Sequence, residues 1–253
     1  MKAIVLEQAN KFPSLKDIQD PTPVEGMKCV KILSAALNHR DIWIMKGMYA
    51  GVRLPVVPGS DGVCEIDGDR YLINPALFWG KDQRFQSSRF EILGMPKNGT
   101  FSEFVCVPES NVYPVPSHLS NEEAAALPLA GLTAYRAIYS RAQLKAGENI
   151  LIHGIGGGVA SMAMIFAMAS GANVFVTSSS QEKIDKAIKL GAVAGFNYKK
   201  NEWTKELKKQ SGGMDVILDS AGGPGFSQLL RICKPGGRIA IYGGAMGNLD
   251  GIS

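Results

Sequence analysis

Hydrophobic and polar positions divide the chain into two parts with different periods. The first part holds short apolar runs of β-forming residues, separated by segments that contain proline and glycine. The predicted strands are residues 3–6, 29–33, 62–66, 71–74 and 101–107. Their irregular spacing predicts a twisted, barrel-like β domain.

The second part alternates strands with helices. It begins after Pro116, where Ser120 and Glu123 have the spacing of a capping box and alanine-rich helical sequence follows. The predicted strands are residues 149–153, 173–177, 193–196, 214–219 and 238–242, and the predicted helices between them are 157–170, 181–190, 202–210 and 226–233. This alternation predicts a parallel, doubly wound sheet covered on both faces. We therefore expect two domains, residues 1–118 and 119–253.

Composition and charge exclude several classes of protein. The 253 residues are 45% hydrophobic and 20% charged, which excludes disordered, collagen-like and small disulfide-rich proteins. Basic residues are densest at 199–209, where Glu202, Trp203 and Glu206 interrupt them, so we expect a solvated helix face and no nucleic-acid site. Residues 150–181 carry no formal charge, but glycines and hydroxyl residues divide them into pieces too short to span a membrane.

The amino terminus and the cysteines indicate the compartment. The first apolar run reaches Glu7 too soon to be a secretory signal, so we expect a cytoplasmic protein. Four cysteines lie far apart without a Cys-x-x-Cys pair, namely Cys29, Cys64, Cys106 and Cys233. This spacing argues against a structural zinc cluster and a dense disulfide framework, and predicts reduced, mostly buried thiols.

The strongest chemical signal is a glycine-rich turn between a predicted strand and a predicted helix, at residues 150–160. Glycines at such a junction let the backbone approach a diphosphate, and the helix amino terminus offers free N–H groups. We predict that Gly156, Gly157, Gly158 and Val159 bind a dinucleotide. A tight turn without a ligand is the alternative.

The end of the second parallel strand bears on which dinucleotide is preferred. An Asp or Glu there normally binds the adenosine ribose, but this chain has Thr177, Ser178 and Ser179, with Lys183 shortly after. Hydroxyls and an ammonium suit a 2′-phosphate, so the sequence favours NADP over NAD. The alternative is that the hydroxyls cap the next helix.

Two later loops follow the fourth and fifth parallel strands. Ligands bind at the carboxyl ends of strands in open parallel sheets. We therefore predict that Ser220, Gly243, Gly244 and Ala245 are neighbours of the cofactor, with plain connecting loops as the alternative.

With these residues in view, the chain resembles the zinc-independent branch of the medium-chain dehydrogenase/reductase superfamily, which includes NADPH quinone oxidoreductases and enoyl reductases. The motifs that carry the resemblance are Asn38-His39-Arg40-Asp41, Gly47-Met48-Tyr49, Pro58-Gly59-Ser60-Asp61-Gly62, residues 130–135, and Lys183 with Asn197-Tyr198. The resemblance implies a GroES-like β-barrel-type catalytic domain followed by a Rossmann NADP-binding domain. It further implies that Thr133 faces the cofactor, that Lys183 and Tyr198 contact the adenosine phosphate, and that the full-length protein is a homodimer or homotetramer.

The positions that hold catalytic zinc in related dehydrogenases carry other residues here. They are Asn38, the Ser60-Asp61 pair and Leu129, and residues 75–100 lack the cysteines of a structural zinc lobe. Tetrahedral zinc needs thiolate, imidazole and carboxylate donors, so we expect no bound metal. His153, at the end of a core strand, is expected to be a satisfied core histidine and not a ligand.

Without a Lewis acid, the expected reaction is hydride transfer from NADPH to a quinone or to an activated C=C bond of an enone or enoyl substrate. We predict that Tyr49 donates a proton or hydrogen bond to a small-molecule substrate, as the resemblance also implies, although it could merely line the cleft. Asn38 would orient the substrate or the nicotinamide ribose, and Arg40 and Asp41 would form structural pairs or cofactor contacts. The competing functions are a non-catalytic NADPH-binding or sensing protein and an alcohol-dehydrogenase-type reductase acting on C=O.

Two departures from the family pattern concern length. The connection within residues 62–74 is shorter by about a hairpin, which we expect to trim only a surface turn. Family members are also longer than this chain, so we expect a fragment that lacks the sixth strand of the nucleotide sheet and the segment that completes the first domain.

Overall fold

The computed structural model describes residues 1–247. The chain divides into two compact units at the peptide bond between Leu129 and Ala130. The first unit is built on antiparallel strands and the second on parallel strands.

The first unit contains nine strands, two α-helices and a 3₁₀ turn at Glu109–Asn111. Its strands are β1 (Lys2–Val5), β2 (Ser14–Asp17), β3 (Met27–Ala36), β4 (Asp61–Ile66), β5 (Asp69–Ile73), β6 (Ala76–Leu77), β7 (Glu91–Ile92), β8 (Phe104–Pro108) and β9 (Val112–Pro114). Its helices are α1 (His39–Met45) and α2 (Asn121–Ala125). Five strands form an antiparallel sheet in the order β8-β3-β4-β5-β9, and the pairs β1-β2 and β6-β7 form two small sheets.

The core of this unit follows the two-residue period of its strands. Val105 and Val107 of β8 are buried while Phe104 is exposed, because successive side chains point to opposite faces. These valines pack with Val30 and Ile73 in one apolar cluster. The predicted β fold of the first domain is therefore confirmed.

The short connection between β4 and β5 is a tight hairpin. Ile66 pairs with Asp69, which leaves only Asp67 and Gly68 in the loop, both with positive φ. An Asp-Gly pair suits a type I′ turn because glycine and aspartate tolerate this left-handed backbone. The missing residues thus shorten a surface turn, as the sequence predicts.

Helix α2 lies within the first unit, although the sequence places residues 119–129 in the second domain. The predicted capping box is present: the Ser120 N–H donates to Glu123 Oε2 at 2.9 Å, and the Glu123 N–H donates to Ser120 Oγ at 3.2 Å. Ala124 and Ala125 pack against Val63 of β4. This packing, which the local sequence does not encode, holds the helix against the antiparallel sheet.

The prediction that all four cysteines are reduced is wrong for two of them. Cys29 on β3 and Cys106 on β8 lie directly opposite each other and form a disulfide. Cys64 and Cys233 are free, and burial raises the pKa of the Cys64 thiol to about 11. The pairing joins residues separated by 77 positions, so only the strand register reveals it.

The second unit contains five parallel strands and four flanking helices. The strands are β10 (Asn149–His153), β11 (Asn173–Ser178), β12 (Ala194–Asn197), β13 (Met214–Asp219) and β14 (Cys233–Ile241). The helices are α4 (Gly158–Ala169), α5 (Gln181–Lys189), α6 (Trp203–Ser211) and α7 (Phe226–Ile232), and α3 (Pro128–Tyr135) precedes them and crosses the Leu129–Ala130 division. The order β12-β11-β10-β13-β14 confirms the predicted doubly wound sheet.

Both faces of this sheet are covered. Ile150 and Ile152 of β10 belong to the apolar cluster that α4 covers, whereas Leu151 belongs to the cluster that contains Trp203 of α6 and Phe226 of α7. A strand buried on both faces needs apolar residues at every position, which explains its continuous hydrophobic run.

The uncharged stretch at 150–181 folds as β10, α4 and β11. It does not form one long apolar helix, which agrees with the sequence-based expectation. Throughout residues 1–247, no helix has the length and apolar character needed to cross a membrane.

Several short elements were not predicted. They are β2, β6, β7, β9, α1 and a π-helical turn at Arg136–Arg141. Helix α1 spans seven residues, too few for a hydrophobic period to stand out, and β6 and β7 contain two residues each.

Candidate functional site

A buried polar cluster lies at the start of α1 in the first unit. Asn38 precedes α1, and its backbone N–H donates to Asp41 Oδ2 at 2.8 Å, which closes the first helical turn. The Asn38 side chain reaches the other way, and its Nδ2 donates to Asp61 Oδ2 at 2.8 Å. The Leu129 backbone N–H donates to Asp61 Oδ1 at 2.7 Å.

Asp61 is almost completely buried, with 1% of its surface exposed. Loss of hydration raises the pKa of its carboxyl to about 6, against the opposing effect of the hydrogen bonds from Asn38 and Leu129. The structure thus joins Asn38, Asp61 and Leu129, the positions compared above with zinc ligands, through hydrogen bonds to one carboxylate.

The residues at these positions do not fit a catalytic zinc ion. Asp61 supplies a carboxylate, but both of its oxygens accept hydrogen bonds, and Asn38 turns an amide donor towards it. Tetrahedral zinc sites are built from thiolates, imidazoles and carboxylates, and Asn38 and Leu129 supply none of these side chains. Within residues 1–247, no group of three or more His, Cys, Asp or Glu side chains is arranged to hold a metal ion.

Arg40 is the second buried charge of this cluster and is 8% exposed. Its guanidinium donates to Ser60 Oγ, to the Leu93 carbonyl at 2.9 Å and to the Met95 carbonyl at 3.2 Å. Its Nε has no hydrogen-bond partner among residues 1–247. Arg40 therefore ties α1 to the chain that follows β7, a structural role that the sequence left open between a pair and a cofactor contact.

The Arg40 guanidinium also lies under the Tyr49 ring, with 4.9 Å from its Cζ to the ring centroid. This is cation–π distance, and it fixes the aromatic ring from one side. Tyr49 is half-buried and lines an open cavity of about 210 Å³ in the first unit. The predicted catalytic phenol therefore borders a space that a small molecule can enter.

The cavity has apolar and charged walls. Its apolar walls include Phe90, Met95 and Pro96, and its charged side chains are Arg53 and Glu91. Arg53 was not identified from the sequence as a site residue, because it is a lone basic residue in a proline-containing segment and belongs to no motif.

In the second unit, the glycine loop follows β10 and leads into α4. Gly154 and Gly156 have φ of +85° and +118°, a left-handed backbone that favours glycine. A Cβ on Gly156 would stand 2.7 Å from Lys183 Cδ, so a larger residue there would require the flexible Lys183 side chain to move. Lys183, in the first turn of α5, thus lies directly over the loop that is predicted to bind the diphosphate.

The amino terminus of α4 supplies the loop's hydrogen-bond donors. Gly157 is its N-cap and has no side chain to accept from the first-turn N–H groups, which in a twelve-residue helix also carry a partial positive charge. Gly158 opens the helix close to Ala130, and Val159 packs against the apolar cluster beneath it. Free N–H groups at a helix start suit a diphosphate, and at Val159 only the backbone N–H is available for the predicted contact because the side chain packs against the cluster.

Thr177 does not face outward from the end of β11. It is fully buried, and its Oγ1 accepts from the Gly154 N–H at 3.1 Å and lies 2.8 Å from Nδ1 of His153. The His153 ring lies between Tyr198 and Trp203, at centroid distances of 5.6 and 6.0 Å. His153 is thus a satisfied core histidine, and burial lowers its pKa.

Of the three serines after Thr177, two form local hydrogen bonds at the start of α5 and one is exposed to solvent. Ser178 is buried and its Oγ accepts from the Ser180 N–H at 3.2 Å, while Ser180 caps α5 by accepting from the Lys183 N–H at 3.4 Å. Ser179 is exposed. Tyr198, which follows β12, is 40% exposed. Ser179, Lys183 and Tyr198 are therefore the predicted phosphate contacts whose side chains solvent reaches.

The loops after β13 and β14 also lie at the carboxyl edge of the sheet. The Ala245 N–H donates to the Ser220 carbonyl at 3.3 Å, and a Cβ on Gly243 would stand 2.7 Å from that oxygen. Gly244 lies between Gly243 and Ala245 in the same loop. Thr133, the predicted cofactor contact on α3, is half-buried. The close approach at Gly243 explains why glycine occupies that position.

Comparisons with known proteins place this geometry in a family. Residues 25–117 match the family described as alcohol dehydrogenase GroES-like domain, and residues 158–253 match the zinc-binding dehydrogenase family. A zinc-type alcohol dehydrogenase-like protein of Leptosphaeria maculans is 35% identical over 92% of this chain and 73% of its own length. The quinone oxidoreductase of Homo sapiens is 31% identical over 90% of this chain and 67% of its own.

Two solved structures are similar to this chain over nearly all of its length. A crystal structure of an NAD-dependent alcohol dehydrogenase has a TM-score of 0.91 and 34% identity, and covers 99% of this chain and 79% of its own. The quinone oxidoreductase from Thermus thermophilus, solved also with NADPH, has a TM-score of 0.82 and 30% identity, over 100% of this chain and 76% of its own. Two-domain fold, glycine loop and sequence identity together show that the chain belongs to the medium-chain dehydrogenase/reductase superfamily.

Proposed function

We propose that this chain is a zinc-independent reductase that uses NADPH to reduce a quinone or an activated C=C bond. The observation that carries the proposal is the cluster around Asp61, whose carboxylate accepts from Asn38 and from the Leu129 N–H. These three residues stand where zinc-dependent relatives have their metal ligands. Here they are joined by hydrogen bonds from two neutral donors to one carboxylate. A reaction on a substrate that is already electron-poor needs no Lewis acid.

Preference for NADPH is supported by the charge near the glycine loop. Lys183 lies over Gly156, Ser179 is exposed, and β11 ends without a carboxylate that would repel a 2′-phosphate. The Thermus thermophilus relative was solved with NADPH, whereas the similar alcohol dehydrogenase is described as NAD-dependent. We favour NADPH because the Lys183 ammonium could pair with its 2′-phosphate.

The chain's own residues would bind and protonate the substrate. Residues of the glycine loop and Lys183 would hold NADPH, whose nicotinamide would supply the hydride for the electron-poor carbon. The Tyr49 phenol then donates a hydrogen bond, or its proton, to the oxygen or carbon that gains negative charge, and recovers a proton from water. Arg40, under the Tyr49 ring, holds that phenol in place.

The experiment mixes the purified chain with NADPH and a panel of quinones and short enones. Oxidation of NADPH, followed by its absorbance, with one equivalent of reduced product is the expected result. Cofactor fluorescence that shifts on binding without any oxidation would show a binding or sensing protein instead. Elemental analysis that finds about one tightly bound zinc per chain would contradict the zinc-independent mechanism.

A further inference from the structure

The cavity beside Tyr49 has a charge that the proposed reaction does not use. Arg53 lines this cavity, and within residues 1–247 its guanidinium forms no ion pair. A guanidinium offers five N–H donors in a planar fork that matches a carboxylate. An unpaired fork at the rim of a cavity is therefore available to an anionic ligand.

The other charges around the cavity favour an anion. Glu91 also lines it, but its carboxylate pairs with the Lys97 ammonium at 3.5 Å. Arg40 adds a second guanidinium behind the Tyr49 ring. The cavity wall therefore carries one guanidinium and one carboxylate, and within residues 1–247 only the carboxylate has an ion-pair partner.

The size and the apolar walls limit what enters. A volume of about 210 Å³ is below the roughly 300–1,000 Å³ of pockets for drug-sized ligands. Phe90, Ile92, Met95 and Pro96 form its apolar surface. A small unsaturated molecule with one acidic group matches both the walls and the charge.

We propose that Arg53 binds a carboxylate of the substrate, so that the cavity beside Tyr49 selects small enones or quinones that carry an acidic group. This inference rests on the proposed reductase function, because it assigns the substrate class of the same site. Arg53 is then a specificity-determining residue, and Tyr49 remains the hydrogen-bond donor to the reacting part of the substrate.

The test compares an acid with its neutral ester. With saturating NADPH, the full chain is assayed on 4-oxopent-2-enoate and on its methyl ester, and because the ester activates its C=C bond more strongly, the two substrates are compared through their kcat/KM ratio in each variant. The expected result is a fall of about tenfold or more in the acid-to-ester ratio in Arg53→Gln, carried mainly by KM. Arg53→Lys keeps the charge without the fork and is expected to restore part of the ratio.

Arg89→Gln is the matched control. Arg89 is exposed, lies 5.1 Å from the Phe78 ring and does not line the cavity, so the same loss of charge there is expected to leave the ratio unchanged. An acid-to-ester ratio in Arg53→Gln that equals the wild-type ratio, with both substrates losing the same factor or neither losing any, would overturn the proposal.

A binding measurement separates this inference from the proposed reaction. The saturated acid 4-oxopentanoate cannot be reduced at C=C, and its binding is measured by ligand-detected NMR. If no compound of the quinone and enone panel is reduced but 4-oxopentanoate binds the wild type several-fold more tightly than Arg53→Gln, the reductase proposal fails and the anion site stands. If 4-oxopentanoate binds both proteins equally, the anion site is refuted, whatever the turnover.

Discussion

Thr177 Oγ1 lies 2.8 Å from Nδ1 of His153, and Thr177 is fully buried while His153 is half-buried. Thr177 Oγ1 also accepts from the Gly154 N–H at 3.1 Å, so one hydroxyl contacts both the loop backbone and the His153 ring. A residue at the position predicted to face the cofactor phosphate thus supports the loop from below.

Replacing Thr177 by valine tests this relationship. The change keeps the side-chain shape but leaves the Gly154 N–H and His153 Nδ1 without their partner, which is expected to lower the free energy of unfolding by about 2 kcal/mol. Since the loop itself is affected, the Kd values for NADPH and NADH are expected to rise by similar factors, as measured by cofactor fluorescence. Thr177→Ser keeps the hydroxyl and serves as the control. A loss confined to NADPH would show instead that Thr177 contacts the 2′-phosphate.

Lys183→Ala is expected to weaken NADPH binding more than NADH binding. Lys183 lies over Gly156, and a charge-assisted contact with the 2′-phosphate is worth about tenfold in affinity. Titration of both cofactors gives the two Kd values. Lys186→Ala, an exposed lysine on the same helix, is the control and is expected to change neither. Equal losses for the two cofactors in Lys183→Ala would argue against a phosphate contact.

Tyr49→Phe is expected to lower kcat by roughly 100-fold with little change in KM, because the variant loses a proton donor and keeps the ring. The ring over Arg40 is retained, so the melting temperature is expected to stay within about 2 °C of the wild type. Steady-state kinetics with an active quinone or enone gives both constants. An unchanged kcat would mean that Tyr49 only lines the cavity.

Asp61 predicts a specific pH dependence of stability. Its pKa is raised from 3.8 to about 6 in the folded chain, so between these values the folded chain holds a proton that the unfolded chain has released. The free energy of unfolding therefore falls as pH rises through this window, by about 3 kcal/mol in all, and the loss is complete once the pH is well above the folded-state pKa of about 6.

Asp61→Asn removes this ionisation, and its amide can still accept from the Leu129 N–H. Relative to the wild type, the variant is expected to gain on the order of 2 kcal/mol when unfolding is measured at pH 7.5 instead of pH 4. Asp69→Asn, an exposed aspartate of β5, is expected to show no such gain. Wild type and Asp61→Asn with parallel pH profiles would contradict the raised pKa.

The sequence by itself determined much of the fold because the periods of its apolar residues are local. Continuous apolar runs such as Ile150–Leu151–Ile152 predict strands buried on both faces, and the capping box of Ser120 and Glu123 predicts a helix start from residues three positions apart. The glycine loop was found in the same way. Gly156 needs a left-handed backbone, and the strand before it and the helix after it are adjacent in sequence.

Only the tertiary structure decided what depends on contacts between distant segments. The disulfide of Cys29 and Cys106 follows from the pairing of β3 with β8, and the burial of Thr177 follows from its contact with His153 on the neighbouring strand. The unpaired charge of Arg53 becomes visible only when the loop after α1 and the segment around β7 enclose one cavity. Such features depend on which strands pair and which loops meet in the folded chain. The hydrophobic pattern of one segment does not specify which distant segment it will contact.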